Sequence, residues 1–75
     1  MLINEIKQIM ADILSIPISE IGDEAHAESI EKWDSLNHMN MMIAIEQQLG
    51  IVFTESELVE LNSLQSIVES IELKK

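Results

Sequence analysis

The sequence predicts an all-α fold: a small four-helix bundle with three main helices, one short third helix, and a long loop between helices 1 and 2. Three observations carry this. Apolar residues recur at spacings of three and four along separate stretches. No stretch alternates apolar and polar residues as a half-buried strand does. Residues suited to starting or stopping helices stand at the ends of the periodic stretches.

Leu2, Ile6, Ile9 and Ile13, with Ile3, Met10 and Leu14 beside them, make one apolar side of a first helix, and Glu5, Gln8 and Asp12 make the wet side. Pro17 keeps Ile16 out of helical geometry and has no amide hydrogen, so this helix stops near Leu14 or Ser15. Residues 15–33 then connect, a length that points to a functional loop or a hidden short element. Ser19 is placed to cap a single turn that tucks Ile18 and Ile21 inward, with Gly22 ending it, and the acidic remainder from Asp23 to Glu31 reads as solvated.

Asp34 or Ser35 as N-cap and Gly50 as stop frame a second helix over residues 35–49. His38, Met41, Met42, Ile45 and Leu49 form its core-facing stripe. Leu36, Met39 and Ile43 form another stripe, extended by Glu46 and Gln47, on a side that one small core does not cover, and such a strip marks a contact surface. Thr54 and Glu57 have capping-box spacing, which predicts a short helix over residues 55–60 with Leu58 and Leu61 inward. Asn62 or Ser63 caps a final helix that buries Leu64, Ile67, Val68 and Ile71 and wets Gln65, Glu69 and Glu72, with Lys74 and Lys75 at its negative end.

With 75 residues the chain has room for one core, so residues 1–75 read as a single domain too small for a pocket built from several independent loops. A net charge of -10 makes nucleic acid and anionic membrane surfaces poor partners and basic proteins good ones. The absence of cysteine excludes a disulfide framework, a thiolate zinc site and a cysteine nucleophile. No apolar run approaches the roughly 20 residues that cross a bilayer, and the N-terminus lacks the features of a signal peptide. A cytoplasmic monomer without membrane insertion is expected.

Seven acids follow Trp33 (Asp34, Glu46, Glu55, Glu57, Glu60, Glu69, Glu72) with no lysine or arginine before Lys74, either a solubilising face or a docking surface for cationic partners. Ser35 stands where unpaired amides and the helix dipole favour an attached or bound phosphate, although Asp34-Ser35 also reads as an N-cap pair alone. His38, one turn on, reads as a helix-packing residue; a tiny hydrolase using it with Ser35 and Asp34 would need convergent geometry and an oxyanion hole. His26 with Glu24 and Glu28 reads as a solvated loop cluster, and no structural metal site is expected. Trp33 and Phe53 read as loop anchors.

Asp34-Ser35-Leu36 at the head of a helix, after a long first loop in a small acidic helical chain, resembles the attachment motif of acyl carrier proteins, and the order of elements resembles that family over essentially the whole chain. The resemblance implies a carrier, not an enzyme. A separate phosphopantetheinyl transferase would esterify Ser35 with 4′-phosphopantetheine from coenzyme A, Asp34 would help position the transferase metal, and acyl groups would travel as thioesters on the arm. It also implies that Leu36, Met39, Ile43 and Glu46 meet acyl-loading, condensing or acyl-transfer enzymes through their basic docking patches, although Met39 packed under the long loop is an alternative. Phe53, Leu58 and Leu61 would line an entrance between the second and third helices if cargo slid there. Asn37, Asn40 and Gln47 are neutral where fatty-acid carriers usually place acids, and Trp33 and Asn37-His38 look more like stand-alone carriers of specialised pathways. The rivals are an aminoacyl or peptidyl carrier with the same attachment chemistry, and an unmodified acidic helical adaptor.

Overall fold

Ile6, Ile9, Met10, Ala11 and Leu14 line the buried side of α1 (Leu2–Leu14), the helix that packs on both α2 (Ser35–Leu49) and α4 (Leu64–Lys74). The computed structural model describes residues 2–74 and adds one short helix, α3 (Glu55–Glu60), between α2 and α4. The core is completed by Met41, Met42 and Ile45 from α2, Leu64, Ile67 and Ile71 from α4, and Ile21, Ala25, Trp33 and Phe53 from the connections. The expected all-helical bundle with three long helices and a short third is therefore the observed one, with the expected boundaries for α1, α2 and α3.

Two helices end in the same way. Ser15 adopts a left-handed φ of 57° and lets the Ile16 amide reach back to the Ala11 carbonyl at 3.2 Å. Gly50, at φ 66°, lets the Ile51 amide reach the Glu46 carbonyl at 3.2 Å. Each reversal satisfies carbonyls that have no partner farther along the helix.

The long loop departs from expectation in two places. A 3-10 turn spans Ile18–Glu20, so Ser19 lies inside it and caps nothing, Gly22 lies beyond its end, and no side chain caps it at Pro17. The turn closes through its own backbone, Glu20 to Pro17 and Ile21 to Ile18, both at 3.0 Å. Ile21 is buried as expected, whereas Ile18 is exposed. The segment from Asp23 to Glu31 exposes its acids with His26 and Ser29, but not its alanines or Ile30. Ala25 is buried and accepts the Leu64 amide at 2.9 Å, while the Ala27 amide bonds the Asn62 carbonyl at 2.9 Å. Two alanines let this backbone approach the α3–α4 junction closely, and paired backbone groups remove the cost of burying it.

Thr54 and Glu57 form the expected capping box of α3. Of the two offered caps for α4, Ser63 serves, exchanging bonds with Ser66 through amide and hydroxyl groups at 3.2 and 3.3 Å. Val68, Leu58 and Leu61 are half-buried rather than fully enclosed. Lys74 pairs with the Glu57 carboxylate instead of capping its own helix. Lys75 lies outside the described residues. Glu57 also accepts the hydroxyl of Ser70 at 2.6 Å and the amide of Thr54 at 2.8 Å. The bonds from Lys74, then Ser70 and Thr54, hold its carboxyl well below the usual carboxylate range, at about 2.

Candidate functional site

Asp34 is extended at φ -98° and ψ -177° and caps α2 by accepting the Asn37 amide at 2.8 Å. The Asn37 carboxamide in turn donates to the Lys32 carbonyl at 2.8 Å, tying the end of the long loop to the first turn of the helix. Ser35 therefore falls at the first helical position with an exposed side chain, free of the bonds that hold its neighbours. The helix dipole and first-turn amides make this end favourable for negative charge.

A cleft of about 500 Å³ opens beside it, lined by Ser35 together with Trp33, His38, Met39, Leu58 and Val59. Its inner wall is a bridge. The buried indole of Trp33 donates to His38 Nδ1 at 3.0 Å, and His38 Nε2 lies 2.7 Å from the Leu58 carbonyl. An indole N–H only donates and a carbonyl only accepts, so the imidazole is neutral with its hydrogen on Nε2. The two rings stack, with centroids 6.1 Å apart and planes at 17°. Both ring nitrogens are committed, so His38 offers Ser35 no base, and the tiny-hydrolase reading is overturned by this geometry.

The structure places Asp34 and Ser35 at one point and brings His38 into the same cleft. Leu36, Met39 and Ile43 are 72, 39 and 44% exposed along α2, and Met39 lines the cleft together with Ala27 of the long loop and Trp33. Glu46 is half-buried, and its Oε2 accepts the Phe53 amide at 2.8 Å, which fastens the α2–α3 connection. Phe53 is buried in the core, and neither it nor Leu61 lines the cleft; only Leu58 of that expected trio does. Val59 also lines the cleft without having been singled out from sequence, as does Asn62, read there only as a candidate cap of α4. A valine with no place on an apolar stripe was the available signal for Val59. His26 is exposed, and its amide bonds the Ser29 hydroxyl. Among the described residues no three potential metal ligands gather, and no helix is long and apolar enough to cross a membrane.

The site is thus an exposed hydroxyl at the N-terminus of α2 beside an open, largely apolar cleft. The family described as "Phosphopantetheine attachment site" matches residues 4–71, and the chain belongs to that family. It is similar to polyketide-8 synthase acyl carrier protein 2 of Streptomyces avermitilis, 28% identical over 65 residues that make up 87% of this chain and 75% of the relative. It is also similar to the acyl carrier protein of Thermosynechococcus vestitus, 26% identical over 73 residues, 97% of this chain and 90% of the relative. The acyl carrier protein of Coprothermobacter proteolyticus is 26% identical over 68 residues, 91% of this chain and 83% of the relative. The expected family, acyl-carrier function and phosphopantetheine cofactor are thus met.

Proposed function

We propose that residues 1–75 form a single acyl-carrier-type domain whose Ser35 is the attachment residue, itself the substrate of a phosphopantetheinyl transferase and not a catalyst. The observation that carries this reading is the exposed Ser35 hydroxyl at the first position of α2, held by the Asp34 and Asn37 bonds on either side and opening on the cleft. Attachment is a phosphoryl transfer: Ser35 Oγ forms an ester bond to the phosphorus that carries the pantetheine, the phosphoanhydride of coenzyme A breaks, and adenosine 3′,5′-bisphosphate leaves. The hydroxyl proton passes to the transferase.

The residues present suit the group. The positive end of α2 sits against the phosphodiester charge, Asp34 keeps one carboxylate oxygen outside the capping bond for the transferase metal, and the cleft offers apolar wall beside the attachment point. When bound, phosphopantetheine supplies the thiol that the chain lacks, and the thioester chemistry belongs to it. The exposed Leu36, Met39 and Ile43 stripe, with Glu46 contributing its remaining negative charge, serves as the docking face for the transferase and for acyl-loading, condensing or acyl-transfer enzymes bearing basic patches. The protein acts as a cytoplasmic monomer.

Asn37 supports assignment to a specialised pathway. Its carboxamide donates to the Lys32 carbonyl, which a carboxylate in that place is unable to do, so its neutrality belongs to this chain's own loop geometry. The polyketide name of the Streptomyces relative points the same way. Incubation with coenzyme A, magnesium and a broad-specificity transferase is expected to add one phosphopantetheine, read by intact mass, and Ser35→Ala is expected to remain bare. A Ser35→Ala chain that still gains the group refutes the site assignment.

A further inference from the structure

His38 Nε2 holds the Leu58 carbonyl at 2.7 Å and so ties α2 to α3 at the cleft's inner wall. In the core, Met42 and Ile45 of α2 and Leu64 of α4 are fully buried, and no buried polar side-chain atom among the described residues lacks a partner. α3 has little freedom to swing away. The Glu46 carboxylate holds the chain at Phe53, just before α3, and Glu57 holds α3 itself to Ser70 and Lys74 of α4. The imidazole is fixed as well, because the buried Trp33 indole occupies its other nitrogen. Parting α2 from α3 would strand two polar groups at once: the Leu58 carbonyl and the Nε2–H of His38.

We infer that His38 is a specificity-determining bolt: it closes the α2–α3 gap and confines cargo to the outer cleft walled by Trp33, Met39, Leu58 and Val59, which restricts the carrier to short or polar acyl groups. This rests on the Ser35 reading. The physical reason for the restriction is hydration: each methylene that finds no apolar cover carries a cost in water, which grows with chain length. Cargo that is short, or that bears hydroxyl or keto groups along its length, avoids that cost. The exposed flank of the cleft offers Val59, 78% exposed, and the flexible thioether of Met39 as partial cover.

The test compares three forms of the full chain, each confirmed by intact mass: bare arm, butyryl arm and octanoyl arm, the acyl groups attached through hydrolysis-resistant amide linkages. In the wild type, NMR shifts on loading are expected at Met39, Val59 and the Trp33 indole, the methyl signals of Met42, Ile45 and Leu64 are expected to stay in place, and bare and octanoyl forms are expected to melt at the same temperature. In His38→Ala the octanoyl form is expected to move those core methyls and to melt higher than its own bare form. If that variant folds poorly, the imidazole nitrogen shifts of the wild type decide the matter, because the Nε2–H tautomer is expected to persist unchanged with octanoyl loaded. Core methyl movement, thermal stabilisation by octanoyl, or loss of that tautomer in the wild type overturns the inference while leaving the arm in place. A chain that takes no arm overturns the Ser35 reading and the inference together.

Discussion

Glu57 and Lys74 join the last two helices: the lysine Nζ lies 2.6 Å from Oε1 and 2.8 Å from Oε2 of the carboxylate. The same ammonium stands 5.6 Å from the centre of the Phe53 ring. Six residues form too short a helix to persist unaided, so α3 depends on this grip, on its capping box and on the His38 bond for its position.

The pH dependence of stability follows from Glu57. Its folded pKa is about 2 against an ordinary 4.5, so the unfolded chain takes up the proton first as the solution is acidified. The stabilisation is fully present above about pH 4.5 and is lost as the pH falls toward 2. Urea unfolding of the wild type and Glu57→Gln, compared at steps from pH 7 to pH 2.5, should show a constant gap down to about pH 5 that narrows below it. A gap that stays constant to pH 3 contradicts the role given to this carboxylate.

The matched helix ends at Ser15 and Gly50 give opposite expectations for two small substitutions. A left-handed backbone costs a residue with a Cβ about 1 kcal/mol or more relative to glycine. Ser15→Gly should therefore stabilise the protein by about 1 kcal/mol and raise the melting temperature by roughly 4–8 °C. Gly50→Ala should lower stability by a similar amount, and since a Cβ there meets nothing within 4 Å, the whole effect is conformational. Thermal melts of the two variants check both signs.

Local signals made the helices legible. Thr54 and Glu57, Asp34, Gly50 and Pro17 act within a few residues of themselves, and α1, α2 and α3 run between the limits they set. What escaped sequence reading depends on partners far along the chain. Ala25 and Ala27 looked like part of a wet acidic loop because their bonds to Leu64 and Asn62 leave no periodic trace. His38 sat correctly on the inward stripe, yet its role as a bridge depends on a carbonyl twenty residues away. Glu46 read as a surface charge, and only the fold turns it toward the Phe53 amide. The exposed place of Ser35, one step past the capping Asp34, was legible because it is set by local signals alone.

Charge crowding gives a further expectation. The chain carries fourteen acids against four lysines or arginines, and among the described residues two ion pairs, Lys7–Asp23 and Lys74–Glu57, occupy two of those cations. The remaining carboxylates repel one another over distances that salt screens at about 10 Å in 0.1 M solution. Raising sodium chloride from 10 to 200 mM should raise the melting temperature by several degrees, on the order of 1 kcal/mol for a domain of this size. A melting temperature that does not respond to salt would refute the account.

The docking role proposed for the apolar stripe on α2 is separable from folding. Leu36 is 72% exposed, so shortening it removes little internal packing and should change stability by less than about 0.5 kcal/mol. Covering a leucine side chain against a partner is worth about 1.5–3 kcal/mol, and truncation to alanine surrenders a large part of that. Since 1.4 kcal/mol corresponds to a factor of ten, Leu36→Ala should lower kcat/KM for a transferase or an acyl-loading enzyme about tenfold while its melting curve overlays that of the wild type. Met42→Ala, in the fully buried stripe of the same helix, should show the opposite pattern, losing about 2–5 kcal/mol of stability while modification of the remaining folded protein stays close to normal. Steady-state kinetics on both variants, read beside their unfolding curves, tests whether the exposed stripe serves partners: a Leu36→Ala chain modified at the wild-type rate by every enzyme tried would remove it from the docking face.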